Sequence, residues 1–386
     1  MKKPNAAVPY ALMQFCLWGI YGFLFSFAHR FFIEALGLNG AVAGLVIGLA
    51  TALAFALQPL LTAVTDRGRL SVRAVLLLCA GLLAVLCAAL LLPLPNAVRM
   101  VLYGLACTAL QVLPSFTNAL GMAAIHAGLH IPFGIARGIG SMAFALTARL
   151  AVLGIHHIGL NAIPLCSGVL AAGLTLAAVC FPRNGISADT AANATPLRIF
   201  LRRQKRFCVL LVGVTLLYVG HNLLSNYMYQ IAVFKGDADA QGTALMIAAL
   251  LELPTMFLFG RLLKLARCDC WLLLSGVFMT LRVVLVLVLP NVTGLYIAQG
   301  AQLLGFALFA VCSVYYVSAV IPPEDVVKGQ TYLGAANTLG SLLASFSGGA
   351  IVELGGVTLL LTLCAVLSAV GAAILFFAAE RAESVS

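Results

Sequence analysis

Twelve stretches of mainly apolar residues follow one another along this chain, each longer than twenty residues and separated by short polar breaks. They cover approximately residues 8–35, 39–64, 72–93, 97–120, 132–155, 158–181, 207–233, 241–265, 270–290, 294–320, 327–352 and 356–379. A helix needs about 20 such residues to cross the ~30 Å hydrocarbon core, where each backbone N–H and C=O must be bonded within the segment itself. The pattern therefore predicts an all-α membrane protein with twelve transmembrane helices. Composition agrees: 63% of residues are hydrophobic and 9% charged, against roughly 25% charged in soluble proteins. The first stretch is too long, and the residues before it too poor in cleavage signals, for a removable leader; it is expected to stay as the first span.

A net charge of +10 could point to nucleic acid, but the placement of the charge gives another reason for it. With the amino terminus inside, cytoplasmic segments hold sixteen of the twenty-two Lys and Arg residues, and only Arg30, Arg99 and Lys235 fall outside. The positive-inside rule then places both termini in the cytoplasm of a multi-pass protein, with a bacterial inner membrane as the expected location and no nucleic-acid partner. Arg137, Arg149 and Arg282 remain, and all three lie within spans. The eleven cysteines are scattered and read as small hydrophobes. The "CDC" at 268–270 lacks a second ligand pair, and His126 with His130 falls in the loop before the fifth span, so no metal site is expected.

One polar, basic-ended segment, 182–206, interrupts the rhythm and reads as a cytoplasmic linker between two bundles of six helices, 1–181 and 207–386. The bundles look related. "GIARGIGS" from Gly134 shares four of eight residues with "GAANTLGS" from Gly334, and "QPLLTAVTDRGR" from Gln58 holds the place in its half that "LPTMFLFGRLLK" from Leu253 holds in the other. Parallel six-span repeats are a recurrent transporter architecture, with the binding site at their interface.

Polar residues inside spans are then the candidate machinery. A charge at the bilayer centre costs at least ~2.5 kcal/mol, so it faces a partner or an aqueous cavity. Glu252 and Arg282 are central in consecutive spans and are natural partners, either as a static ion pair or as a pair that binds and releases a proton. Arg137, Ser141 and Phe144 follow i, i+4, i+7 spacing and share a face that suits a polyhydroxylated ligand; the alternative is that Arg137 snorkels to the surface. Gln14, Trp18 and Tyr21 repeat that spacing in the first span, and Asn118 closes the fourth. The seventh carries His221, Asn222, Asn226 and Tyr229, and the eleventh Asn337. Each could be helix–helix glue, or together they could line a wet cavity. Gly40, Gly44 and Gly48, four apart in the second span, read as packing.

The twelve spans, the central loop and "TDRGR" (Thr65 to Arg69) resemble the major facilitator superfamily. The resemblance gives Asp66, Arg67, Gly68 and Arg69 the role of its conformational loop motif, although Thr62 stands where the family has glycine. "ALQPLLTAVTDR", "IPFGIARGIGSMAF", "FMTLRVV" and "GAQLLGF" are similar to the lactose permease branch of oligosaccharide:proton symporters. That likeness implies a sugar-binding Arg137, a stacking Phe144 and a proton-coupling Arg282. Asn118 stands near the place of a sugar-binding carboxylate, and the branch's tenth-span His and Glu are replaced around Leu304 and Ala307, which puts galactoside specificity and the permease's own coupling residues in doubt. The expectation is a monomeric secondary transporter of a small polar organic solute, foremost a proton–sugar symporter working by alternating access. The alternatives are transport of a nucleoside or aromatic acid, or export. A membrane enzyme or a sensor is expected less, because only His221 and Glu252 approach a catalytic set and no loop is long enough for an output domain. No nucleotide-binding loop appears, so a gradient supplies the energy and no cofactor is implied.

Overall fold

The computed structural model describes residues 6–131, 133–182, 200, 202–322 and 325–382, and every regular element among them is helical. Ten helical segments are long and apolar enough to cross a membrane. Two of these, Ile135–Cys180 and Gly329–Ala378, are each twice the necessary length. The first is broken at Gly159, whose φ of +70° only glycine adopts without strain, and the second at Gly355–Gly356, where φ at Gly356 is +69°. Divided there, the ten segments make twelve spans.

Several spans differ from plain helices at places the hydropathy pattern does not mark. The first, Ala7–Ala35, contains two π-helical turns, Tyr21–Phe25 and Phe31–Ala35. The seventh pauses at Tyr227 between Lys205–Asn226 and Met228–Phe234. The fourth, expected to end near residue 120, continues to His126, so His126 closes a helix rather than sitting in a loop. Nothing in "GMAAIH" breaks a helix; the stop comes at Gly128, with φ +77°.

The chain divides into two compact units, Met1–Thr190 and Ala191–Ser386. Most of the polar 182–206 segment lies outside the described residues. Within the first unit, the first span packs on the fifth (Phe133–Ile158) and sixth (Ala162–Cys180), the third (Val72–Ala89) on the fourth (Asn96–His126) and sixth, and the second (Gly40–Asp66) on the fourth. The second unit repeats this scheme. Its seventh span packs on the eleventh and twelfth within Val326–Ala378, its ninth (Cys268–Val288) on the tenth (Val292–Val320) and twelfth, and its eighth (Ala240–Leu262) on the tenth.

The residues shared by the two "G…GS" motifs show why they recur. Ala136 and Ala336 are both buried. A methyl group at Gly140 would lie 2.4 Å from Trp18 Cδ1, and one at Gly340 would lie 2.6 Å from Tyr218 Cβ. Gly140 thus leaves room for the Trp18 ring, and Gly340 for the backbone of the seventh span, with Thr215 O 3.0 Å from such a methyl group. Gly140→Leu and Gly340→Leu should therefore each destabilise the protein by about 1–3 kcal/mol through overpacking, read as a lowered midpoint of thermal unfolding. An unchanged midpoint in both would mean that neither close approach depends on glycine.

Polar side chains also close helix ends. Arg73 donates to Phe181 O at 2.9 Å and to Val179 O, satisfying last-turn carbonyls of the sixth span. Lys235 donates to Leu289 O at 2.6 Å past the end of the ninth. At the expected loop motif, Gly68 (φ +68°) follows the second helix as its left-handed stop, with Arg67 and Arg69 exposed beside it. The side chain of Asp66 lies outside the described residues.

Candidate functional site

In the first unit, one polar network gathers most of the residues the sequence singled out there. Gln14, fully buried, donates to Tyr10 Oη at 3.0 Å and to Asn118 Oδ1 at 3.3 Å, and its Oε1 accepts from Trp18 Nε1 at 3.0 Å. The guanidinium of Arg137 lies over the Trp18 ring, 4.1 Å from its centroid, and donates to Ser141 Oγ at 2.9 Å. Trp18 is thus held at its edge by an amide and on its face by a cation, in the slot that Gly140 leaves open. Arg137 is held along its own helix face by Ser141 and against the first span by Trp18. Tyr21 lies 5.2 Å from Trp18 and 5.7 Å from Phe25, which extends the aromatic wall along the first span. Phe144 is half-buried one turn beyond Ser141. Tyr10 belongs to this network although the sequence reading passed over it; it stands four residues before Gln14, on the same face.

The second unit holds a different cluster. Arg282, 3% exposed, donates to Gln299 Oε1 through Nε at 3.1 Å and Nη2 at 2.6 Å. Its Nη1 lies 3.5 Å from His221 Nδ1, and the His221 ring stacks on Phe306 at 4.3 Å with 9° between planes. Arginine can only donate, so Nδ1 is the acceptor in this contact. Glu252 accepts from Gln302 Nε2 at 3.0 Å. Among the described residues an amide meets each charge, Gln299 on Arg282 and Gln302 on Glu252, and the direct Glu252–Arg282 ion pair expected from the sequence is not seen.

The cause is a break in the tenth span. Gly300–Leu303 is a 3-10 turn, and three residues per turn put Gln299 and Gln302 on one edge. Gly305 then brings the backbone against the ninth span, where a side chain would lie 2.9 Å from Ala301 O and 3.3 Å from Met279 N. The two glutamines are the functional candidates the sequence reading missed. Their signal was present: two amides three apart in an apolar span, with Gly300 between them and Gly305 just beyond.

Other expected residues are placed differently. Asn226 donates to Ser345 Oγ at 3.3 Å and Tyr227 donates to Ser345 O at 3.3 Å, so both tie the seventh span to the eleventh. Asn222 donates to Tyr218 O in its own helix. Tyr229 is buried, and Asn337, the counterpart of Arg137 in the motif, is exposed.

Comparison with known proteins bears on the whole arrangement. Residues 210–386 match the model of the Major Facilitator Superfamily. The solved nucleoside transporter NupG, in a mutant form, superposes with a TM-score of 0.81 at 17% identity, covering 97% of this chain and 99% of that one. The chain has the major facilitator fold, and its second half belongs to the family. NupG without that mutation gives 0.79 at 16% identity over 97% and 98% of the two chains. An auto-inhibited peptide transporter of the POT family gives 0.76 at 12% identity over 99% and 98%. No curated protein matches the sequence. The major facilitator neighbours named here are nucleoside and peptide transporters, and none singles out the oligosaccharide:proton symporters.

Proposed function

We propose that this major facilitator protein is a secondary transporter of a small polar solute bearing a flat ring, a nucleoside in the first place, driven by protons through Glu252 and Arg282. The observation that carries the reading is Arg137 clamped between the Trp18 face and Ser141. A guanidinium held in its plane offers hydroxyl groups a pre-ordered fork, so little side-chain freedom is lost on binding. Gln14 and Asn118 supply amides beside it, and Trp18, Tyr21 and Phe144 supply ring faces. Hydroxyls beside a stacking ring describe a nucleoside, and the likeness to a nucleoside transporter supports that choice. A sugar or glycoside is the second reading, supported by the donor set alone and by the resemblance of the Arg137 motif.

Coupling rests on the tenth-span glutamines. Gln302 gives Glu252 an N–H, while its own Oε1 is buried and has no hydrogen-bond partner among the described residues. An amide can turn. Gln302 can therefore donate to the carboxylate and, once Glu252 is protonated, accept from it, so the acid changes charge without leaving its hydrogen bond unmade. Gln299 holds Arg282 in place through that change.

Thermal unfolding of the purified protein with nucleosides, sugars, dipeptides and aromatic acids tests the substrate class. Nucleosides should raise the midpoint by the mass-action increment of a bound ligand, and sugars by less. Stabilisation by dipeptides alone would sink the reading.

A further inference from the structure

A groove of about 310 Å³ opens on the outer face of the second unit, between the seventh and twelfth spans, lined by Lys205, Arg206, Val209, Ile374, Phe377 and Ala378. We propose that it is a binding site for an anionic phospholipid, with the lipid phosphate on Lys205 and Arg206 and an acyl chain along the apolar floor.

The groove exists because the two helices meet through glycines. A methyl at Gly213 would lie 2.9 Å from Gly371 O, and one at Gly371 would lie 2.7 Å from Gly213 O, so the two backbones come close there, with the Ile374 and Leu375 side chains packed against Gly213. Its walls face outward: Val209 is 52% and Phe377 82% exposed. Val212, on the same side of the seventh span, continues the apolar track away from the cations. In a span of this hydropathy that surface is covered by lipid tails.

Charge selects the kind of lipid. Arg202, Arg203, Lys205 and Arg206 are all exposed at the end of the seventh span, and no acidic residue occupies the first turn of that helix. Among the described residues, neither Lys205 nor Arg206 has an ion-pair or hydrogen-bond partner. A second groove flanks the same twelfth span, about 390 Å³ and lined by Val277, Thr280, Leu281, Val284, Ala369 and Ala372. It contains no cation and would take tails of any lipid. Of these two grooves the first joins a tail-shaped floor to two positive heads, the complement of a lipid whose phosphate carries an uncompensated negative charge.

The test titrates phosphatidylglycerol, phosphatidylcholine and inorganic phosphate separately into the full-length protein in detergent, with bound molecules counted by native mass spectrometry. Phosphatidylglycerol should bind the parent more tightly than phosphatidylcholine, and inorganic phosphate should not be retained. Lys205→Gln with Arg206→Gln should weaken phosphatidylglycerol about 30-fold, from roughly one favourable contact per cation, and leave phosphatidylcholine unchanged. Val209→Trp, which fills the floor and keeps both cations, should also lose the lipid and serves if the double variant does not fold. Equal retention of the two lipids, retention of inorganic phosphate in place of lipid, or undiminished phosphatidylglycerol binding by whichever variants fold would each overturn the proposal.

Discussion

Arg137→Lys should weaken substrate binding by about 30-fold or more, the loss expected when a charged, multiply bonded contact is replaced by a single point donor. Lysine keeps the charge and most of the length. It cannot lie flat over Trp18 while donating to Ser141 and to a ligand at once, so a geometric role and a merely electrostatic one give different results. Trp18→Leu removes the platform without touching the charge and should lower affinity in the same sense, because the guanidinium loses the surface 4.1 Å beneath it. Calorimetric titration with the best ligand from the thermal screen gives both numbers. Parent-like affinity in Arg137→Lys would return Arg137 to a surface anchor.

Glu252→Gln should abolish accumulation against a gradient while substrate binding and exchange stay close to those of the parent. The substitution mimics the protonated acid, and a glutamine at 252 can still bond the Gln302 amide, so the fold around it should survive. Arg282→Ala should also lose accumulation, with a cost in stability. It leaves Gln299 Oε1, which takes two donor groups from Arg282, buried without them. The two variants separate a coupling role from a structural one in reconstituted vesicles, with exchange measured beside uphill uptake. If Glu252→Gln still concentrates substrate under an imposed proton gradient, the coupling group lies elsewhere.

The sequence makes the spans legible because hydrocarbon imposes a length and a polarity that few other environments demand. The network around Trp18 was largely legible too. Gln14, Trp18, Tyr21, Arg137 and Ser141 lie on regular helix faces, where spacing predicts neighbours. The second cluster was not. Glu252 and Arg282 stand at similar depth on adjacent spans, and from helix geometry alone a direct pair is the natural expectation. The 3-10 turn at Gly300–Leu303 changes the register of the tenth span and brings Gln299 to Arg282 and Gln302 to Glu252. A four-residue turn has no periodic signature, so its consequence appears only when the backbone is seen. Asn226, singled out because it is polar within a span, bonds through its amide to Ser345 on the neighbouring helix, a contact that polar residues between membrane helices ordinarily make.

Uptake of a labelled nucleoside into proteoliposomes, under an imposed inward proton gradient, tests the central claim most directly. Accumulation above the external concentration, abolished by a proton ionophore and by Glu252→Gln and reduced by Arg137→Lys, is the result expected here. Folded protein that moves no nucleoside faster than empty vesicles, with or without the gradient, would contradict it.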